Sequence, residues 1–171
     1  KKLKCDNFVE YKMAGTAENP YSICENFIQE NTEYIPATTL KKISIRIPKE
    51  TEFDYFMRCC QQLKIKKIMQ RNLDYIIPFD YLIGNVDRNY GNFGVIRNVE
   101  TLKIIGVAPV FDNGNSLWYN DVLIKPEIKS YPFMFNQEEQ IQYVKDKSVF
   151  PVENITVLSS ICKTEFSKDI R

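Results

Sequence analysis

The run from Asn72 to Ile83 (NLDYIIPFDYLI) is, beyond its first residue, apolar except at Asp74 and Asp80. Such a run should form a buried helix leading straight into whatever follows it. Pro78 must either kink that helix or sit in the first turn of its second half, because proline lacks the N–H and crowds the preceding turn. Directly after it comes the densest chemistry in the chain, Gly84 to Trp118 (GNVDRNYGNFGVIRNVETLKIIGVAPVFDNGNSLW). A loop held by a buried element is where catalytic side chains are best positioned.

Asp87 is followed five residues on by Asn92, and a second carboxylate, Asp112, stands in Phe-Asp-Asn-Gly at the end of an apolar run. Phosphoryl transfer asks for this arrangement. One Asp orients the attacking hydroxyl and takes its proton, an Asn five residues on faces the same metal site, and an Asp after the next strands holds Mg²⁺ against the phosphates. Magnesium takes oxygen ligands, few from protein and the rest from water and phosphate, so one Asn and one Asp suffice. Plainer readings compete. Asp-Asn-Gly between apolar runs also makes a turn, because Asn-Gly tolerates positive φ, and Asp87 to Asn92 also reads as a polar loop capping two strands. A calcium loop is excluded, since the register from Asp87 puts Asn92 where the sharp-turn glycine belongs and Asn98 where the bidentate Glu belongs.

Taken together, Leu82-Ile83-Gly84-Asn85-Val86-Asp87-Arg88-Asn89-Tyr90-Gly91-Asn92-Phe93-Gly94 and Ala108-Pro109-Val110-Phe111-Asp112-Asn113-Gly114-Asn115-Ser116-Leu117 resemble the catalytic core of the HipA-like kinases, in the form found in Gram-positive bacteria and mobile elements. More distantly they are similar to the phosphoinositide kinases. Fainter likeness extends upstream through Tyr21-Ser22-x-Cys24-x-x-Phe27 and downstream through Pro132-Phe133. The resemblance implies an α+β, mostly helical fold, the large C-terminal lobe of a protein-kinase-like enzyme with a small catalytic β-hairpin. It implies ATP and Mg²⁺ as cofactors, Asp87 as the catalytic aspartate, and Asn92 and Asp112 as metal ligands. Asn85 and Arg88 would support the loop by hydrogen bonding to Asp87 or to phosphate, with Asn89 and Asn115 on the cofactor side. Asn89 stands where these families usually have His, and an amide cannot carry positive charge toward a developing phosphoryl anion.

With 171 residues, 44% of them apolar, the chain can bury one real core. Lys and Arg total 23 against 22 Asp and Glu, so no global field draws it to nucleic acid or to an anionic membrane. The absence of histidine removes Ser-His and Cys-His nucleophile pairs and every His-containing zinc site. Five scattered cysteines without a Cys-x-x-Cys pair fit reduced thiols of a cytoplasmic protein. No apolar run approaches the ~20 residues of a membrane span, and no signal peptide is visible. Asn154-Ile155-Thr156 is a sequon without secretory context.

Along the chain, Leu3 to Met13 reads as one strand, which the resemblance makes the linker (residues 1–13) from an upstream ATP-binding lobe. Ser22-Ile23-Cys24-Glu25 reads as a capping box opening a helix to about Glu30. Ile43, Ile45 and Ile47 alternate with Ser44 and Arg46 as in a half-buried strand, with a short helix possible over Thr38 to Lys42. Thr51 opens a helix with Phe53, Phe56, Met57, Cys60 and Leu63 on one face. Lys64, Lys66, Lys67 and Arg71 follow as a solvated helix end favoured by the helix dipole, or as a patch for phosphates. Phe93–Ile96 and Leu102–Ile105 form a strand pair that carries the chain from Asn92 back toward Asp112. Lys125-Pro126 and Tyr131-Pro132 break up a loop, Asn136 caps a helix to about Lys145, and Pro151 opens a last helix with Val152, Ile155, Leu158, Cys162 and Phe166 on one face. The chain starts without Met and ends without a glycine stop, as a piece of a longer protein would.

The leading expectation is therefore a single domain, the large lobe of a HipA-like kinase that transfers phosphoryl to a Ser or Thr hydroxyl of a protein substrate. Its expected partner is a missing N-terminal ATP-binding lobe, without which the piece alone would bind nucleotide weakly and not turn over. The alternative is a catalytically inactive kinase-fold module that works with an antitoxin or DNA-binding partner. A third reading, a helix-rich α+β domain with turns only, requires Asp87, Asn92 and Asp112 to be scattered in space.

Overall fold

The structure, a computed structural model, describes residues 7–116, 130–146 and 148–149. The order is β1 (Tyr11–Gly15), β2 (Pro20–Cys24), β3 (Thr32–Pro36), α1 (Ala37–Lys41), α2 (Glu52–Gln62), α3 (Lys66–Ile83), β4 (Gly94–Asn98), β5 (Ile104–Val107) and α4 (Gln137–Ile141). Strands β1 and β2 make an antiparallel hairpin of their own, and β3, β4 and β5 make a second antiparallel sheet in that order.

Helix α2 starts where Thr51 caps it, its hydroxyl oxygen accepting from the Asp54 N–H at 3.1 Å. Glu52 and Asp54 then place carboxylates in the first turn, toward the positive end of the helix dipole. Its apolar stripe, Phe53, Phe56, Met57 and Cys60, is buried against Met69, Leu73, Ile76 and Ile77 of α3, with Phe93, Val95, Val110 and Phe133 completing the core. Burial pushes the Cys60 thiol up to about 12, consistent with an inert core cysteine. The cysteines Cys24, Cys59 and Cys60 are free.

Helix α3 begins earlier than the apolar run and carries Pro78 inside it, buried. It stops at Gly84, which takes a left-handed φ of 67° and returns its N–H to the carbonyls of Asp80 and Tyr81. Asp74, one of the two acids that interrupt the run, is buried and accepts from the backbone N–H groups of Lys145 at 2.7 Å and Asp146 at 3.1 Å. It thereby pins the chain after α4 to α3.

Several expectations are corrected. In the stretch expected as one strand over residues 3–13, Phe8 makes only an isolated parallel bridge to Val110, and the strand proper starts at Tyr11 and runs on to Gly15. Ser22–Glu25 is not a capping box: Pro20–Cys24 is a strand paired with β1, because a short helix without a buried face cannot compete with a hairpin ladder next door. The Ile43-Ile45-Ile47 alternation forms no strand, and Ile45 is 87% exposed. The loop is held instead by polar contacts, Arg58 donating to Glu50, to Ser44 Oγ and to the Ile45 carbonyl. The short helix beside it occurs at α1. Lys66 and Lys67 lie in the first turn of α3 rather than at a helix C-terminus, exposed and not favoured by the dipole. The Asn136 capping box forms, but α4 ends at Ile141, with Val144 buried beyond it. The Lys125-Pro126 segment and the helix expected from Pro151 lie outside the described residues.

Candidate functional site

The loop after α3 is built from its own side chains. Asn85, 1% exposed, donates through Nδ2 to Asp80 Oδ1 at 3.0 Å and accepts at Oδ1 from the Asp87 N–H at 3.2 Å. Gln137 of α4 donates to the Asn85 carbonyl at 2.8 Å, and the Tyr131 N–H donates to the Val86 carbonyl at 3.1 Å. Asn89 folds its side-chain oxygen onto the Gly91 N–H at 2.8 Å. The Gly91 carbonyl in turn accepts from the Tyr34 hydroxyl at 2.8 Å.

Arg88 is the hub. Its side chain is fully buried, and its fork meets Asp80 bidentately, Nε to Oδ2 at 2.9 Å and one terminal nitrogen to Oδ1 at 2.8 Å. The other terminal nitrogen donates to the carbonyls of Asn92 and Phe111, and the fork also donates to Asn113 Oδ1. One guanidinium therefore ties the end of α3, the Asp87–Asn92 loop and the residues flanking Asp112 together. Burial pushes the Asp80 carboxyl up, and the Arg88 guanidinium and the Asn85 amide pull against it.

The carboxylates lie outside this buried clamp. Asp87 is half-buried, and its Oδ2 accepts from Asn115 Nδ2 at 2.9 Å. Asp112 is exposed and left-handed, with φ of 54°, and its N–H donates to the Tyr11 hydroxyl at 3.2 Å. The backbone before it is packed by Phe111 against Phe27 and Tyr34, ring centres 5.3 and 5.6 Å apart. Burial in this cluster raises the Tyr34 hydroxyl pKa, against the pull of Arg88. A groove of about 700 Å³ opens beside Phe27, between residues 8–12 and 23–27, with Pro109 in its wall.

The sequence-derived residues thus fall on one connected loop cluster. Asp87 meets Asn115, while Asn92 and the neighbours of Asp112 meet on Arg88. Three residues have partners other than those expected. Arg88 has Asp80, not Asp87, as its carboxylate partner, and its burial removes it from contact with any phosphate. Asn115 bonds the catalytic-aspartate candidate, and Asn89 is spent on Gly91. Asp80, Asn113 and Gln137 are the working residues that the spacing did not identify. The one available signal was an acid inside an otherwise apolar run.

Among the described residues no hydrogen bond reaches the side-chain oxygens of Asn92 and Asp112, and as one amide and one carboxylate they suit a hard cation that keeps most of its water. No cluster of three or more His, Cys, Asp or Glu side chains able to hold a metal occurs among the described residues. Among those residues no helix is long and apolar enough to cross a membrane.

Two small antiparallel sheets and a set of helices make a mixed α/β fold, similar to that of a solved kinase. The chain matches the crystal structure of the proinflammatory kinase CtkA of Helicobacter pylori with a TM-score of 0.57 and 22% identity, over 66% of this chain and 40% of that one. At this identity the likeness is one of fold, and the matched region is less than half of that kinase. No protein-family model and no curated protein matches the sequence.

Proposed function

We propose that the chain is the large-lobe part of a HipA-like, ATP- and Mg²⁺-dependent kinase that transfers phosphoryl to a Ser or Thr hydroxyl of a protein. The observation that carries this is the Arg88 clamp, which gathers the Asp87–Asn92 loop and the Phe111–Asn113 segment around one buried cation. In this reading one Asp87 oxygen is held by Asn115 and the other accepts the proton of the substrate hydroxyl, orienting it for attack. Asn92 and Asp112 would hold Mg²⁺, which when bound neutralises charge on the phosphates. In this reading the nucleotide base would lie in the groove beside Phe27, whose ring packs on Phe111, the residue before Asp112. An upstream lobe would close over it.

Magnesium-dependent ATP binding, followed by calorimetry on the full-length protein, tests this. Binding is expected to need Mg²⁺, to be lost in Asp112→Ala and to survive in Asp87→Ala, while Asp87→Ala abolishes phosphoryl transfer. Absence of nucleotide binding in every version overturns it.

A second reading, a catalytically inactive kinase-fold module acting with an antitoxin or DNA-binding partner, is favoured by Asn89. Its side chain is turned onto the Gly91 N–H and supplies no charge toward a phosphoryl group. Mg²⁺-ATP binding without turnover in the full-length protein would select it.

A further inference from the structure

Away from the loop cluster, two side chains sit on left-handed backbone that glycine would adopt without crowding, and both line the same groove. Lys64 has a φ of 60° and Leu102 a φ of 56°, where a Cβ presses on the neighbouring carbonyl. Lys64 follows α2: its N–H returns to the Gln61 carbonyl at 3.0 Å and the Ile65 N–H to the Cys60 carbonyl at 2.9 Å, a helix stop in which glycine is the usual left-handed residue. Leu102 closes the β4–β5 turn, its N–H donating to the Asn98 carbonyl at 3.0 Å, again a place for glycine or asparagine. Such residues persist only where the surroundings hold them, and they collect at binding and switch sites. The groove they share has a volume of about 490 Å³, with Leu40, Leu63, Ile65, Val95 and Ile104 among its apolar lining. Leu102 is 60% exposed at its edge. Arg97 in the wall is paired with Glu33 at 2.8 Å. Lys64 and Lys103 also line it, both exposed, and among the described residues neither forms an ion pair. None of the described lining residues is acidic or aromatic.

We infer that this groove docks an acidic segment of a partner protein, whose apolar side chains fill the groove and whose carboxylates meet Lys64 and Lys103. Charge complementarity selects the occupant: two unpaired cations with no lining acid favour an anionic ligand, steer its approach and reject a basic one. The apolar lining selects a peptide over a nucleic acid. Bases want aromatic platforms and a backbone wants a row of phosphate contacts, whereas Leu102 and the buried aliphatic side chains offer area that only apolar side chains can cover. The two left-handed residues then have a use, since glycine at either position would remove the cation or the apolar edge that the partner meets. The groove shares no lining residue with the Asp87–Asn92 loop, so the inference stands apart from phosphoryl transfer.

Random peptides displayed on phage and selected on the full chain supply the probe, which is then synthesised with a fluorescent label for anisotropy titration. Selected peptides are expected to set Asp or Glu beside Leu, Ile or Phe, and to bind about tenfold more weakly to Lys64→Glu and to Lys103→Glu. Lys64→Gly and Leu102→Gly separate binding from folding. Each relieves left-handed crowding, so the urea midpoint should hold or rise, while peptide affinity falls about tenfold. A purely structural role for these side chains predicts unchanged affinity, and that result overturns the inference. Selection of basic or uncharged peptides, or of none, overturns it too. Two further outcomes give the groove to another occupant and overturn it as well: a labelled DNA duplex that displaces the peptides, or self-association of the wild type, read by light scattering, that is lost in Lys64→Glu.

Discussion

Arg88 and Asp80 form a pair with side-chain exposures of 0% and 8%, so neither charge can be shed to water if its partner goes. Truncating one member of such a pair costs about 3–5 kcal/mol, mostly because the remaining ion is left buried and alone. Arg88→Met is therefore expected to lower the urea midpoint sharply, and adding Asp80→Asn should recover part of the loss by removing that ion. An Asp80→Asn change that worsened Arg88→Met would contradict this. Glu50 makes a different prediction. Its hydrogen bonds from Arg58 hold its carboxyl at about 2, below the ordinary 4.5. Between those values the unfolded chain binds more protons than the folded one, so this pair's contribution is present above pH 4.5 and lost as pH falls toward 2. The urea midpoint of Glu50→Gln should thus fall less steeply than that of the wild type across this window. Asp87, Asn92 and Asp112 stand out in the sequence as candidates because their offsets are properties of the chain. The Asp80 to Arg88 pairing does not, because it depends on α3 ending at a left-handed Gly84 and on the loop curling the guanidinium back under the helix.

At the scale of elements, two glycines on neighbouring strands of one sheet, Gly94 of β4 and Gly106 of β5, make a controlled comparison. A Cβ on Gly94 would stand 2.2 Å from the Ile35 carbonyl oxygen and 2.9 Å from Pro36 Cα, both backbone atoms of the paired strand β3, whereas one on Gly106 meets nothing within 4 Å. Backbone cannot rotate away as a side chain can, so Gly94→Ala should cost about 1–3 kcal/mol. Gly106→Ala should be neutral or stabilising by up to about 1 kcal/mol through the unfolded chain. Thermal or urea unfolding of the two variants decides the matter, and equal effects would argue against the close β3–β4 approach. Elements that bury one face were legible for the same reason that they are stable. Helix α2 has a 3.6-residue apolar period, a Thr cap and acids in its first turn, and all three agree. The Ile43–Ile47 alternation misled because period two signals a strand only where a neighbouring strand offers hydrogen bonds. Here Arg58 takes up the loop's polar groups, and the isoleucines face water.

Stability should be unevenly spread over the molecule. The β1–β2 hairpin is a two-stranded sheet of its own, with Met13 76%, Tyr21 58% and Ile23 49% exposed, and a lone hairpin is marginal in water. The described backbone bonds that join its approach to the body are Val9 N–H to the Val110 carbonyl and Val110 N–H to the Asn7 carbonyl, each 2.9 Å. Beyond them Tyr11 reaches the Asp112 N–H. By contrast, α2, α3 and β4 share one buried cluster. Local opening of the hairpin therefore breaks few buried contacts, while opening α3 exposes the core. Hydrogen exchange should show the amides of residues 11–24 exchanging at a low opening free energy, with those of α3 and β4 opening only with global unfolding. Met13→Thr and Ile23→Thr should shift the urea-derived stability by no more than about 0.5 kcal/mol, as for surface positions generally. Protection of the hairpin equal to that of α3 would instead make it part of the cooperative unit, and those two substitutions would then cost as much as changes in the core. Because the Tyr11 hydroxyl bonds the Asp112 backbone, a hairpin that opens on its own would also release Asp112, so a cation or nucleotide that orders Asp112 should slow exchange in β1 before it slows exchange in α3.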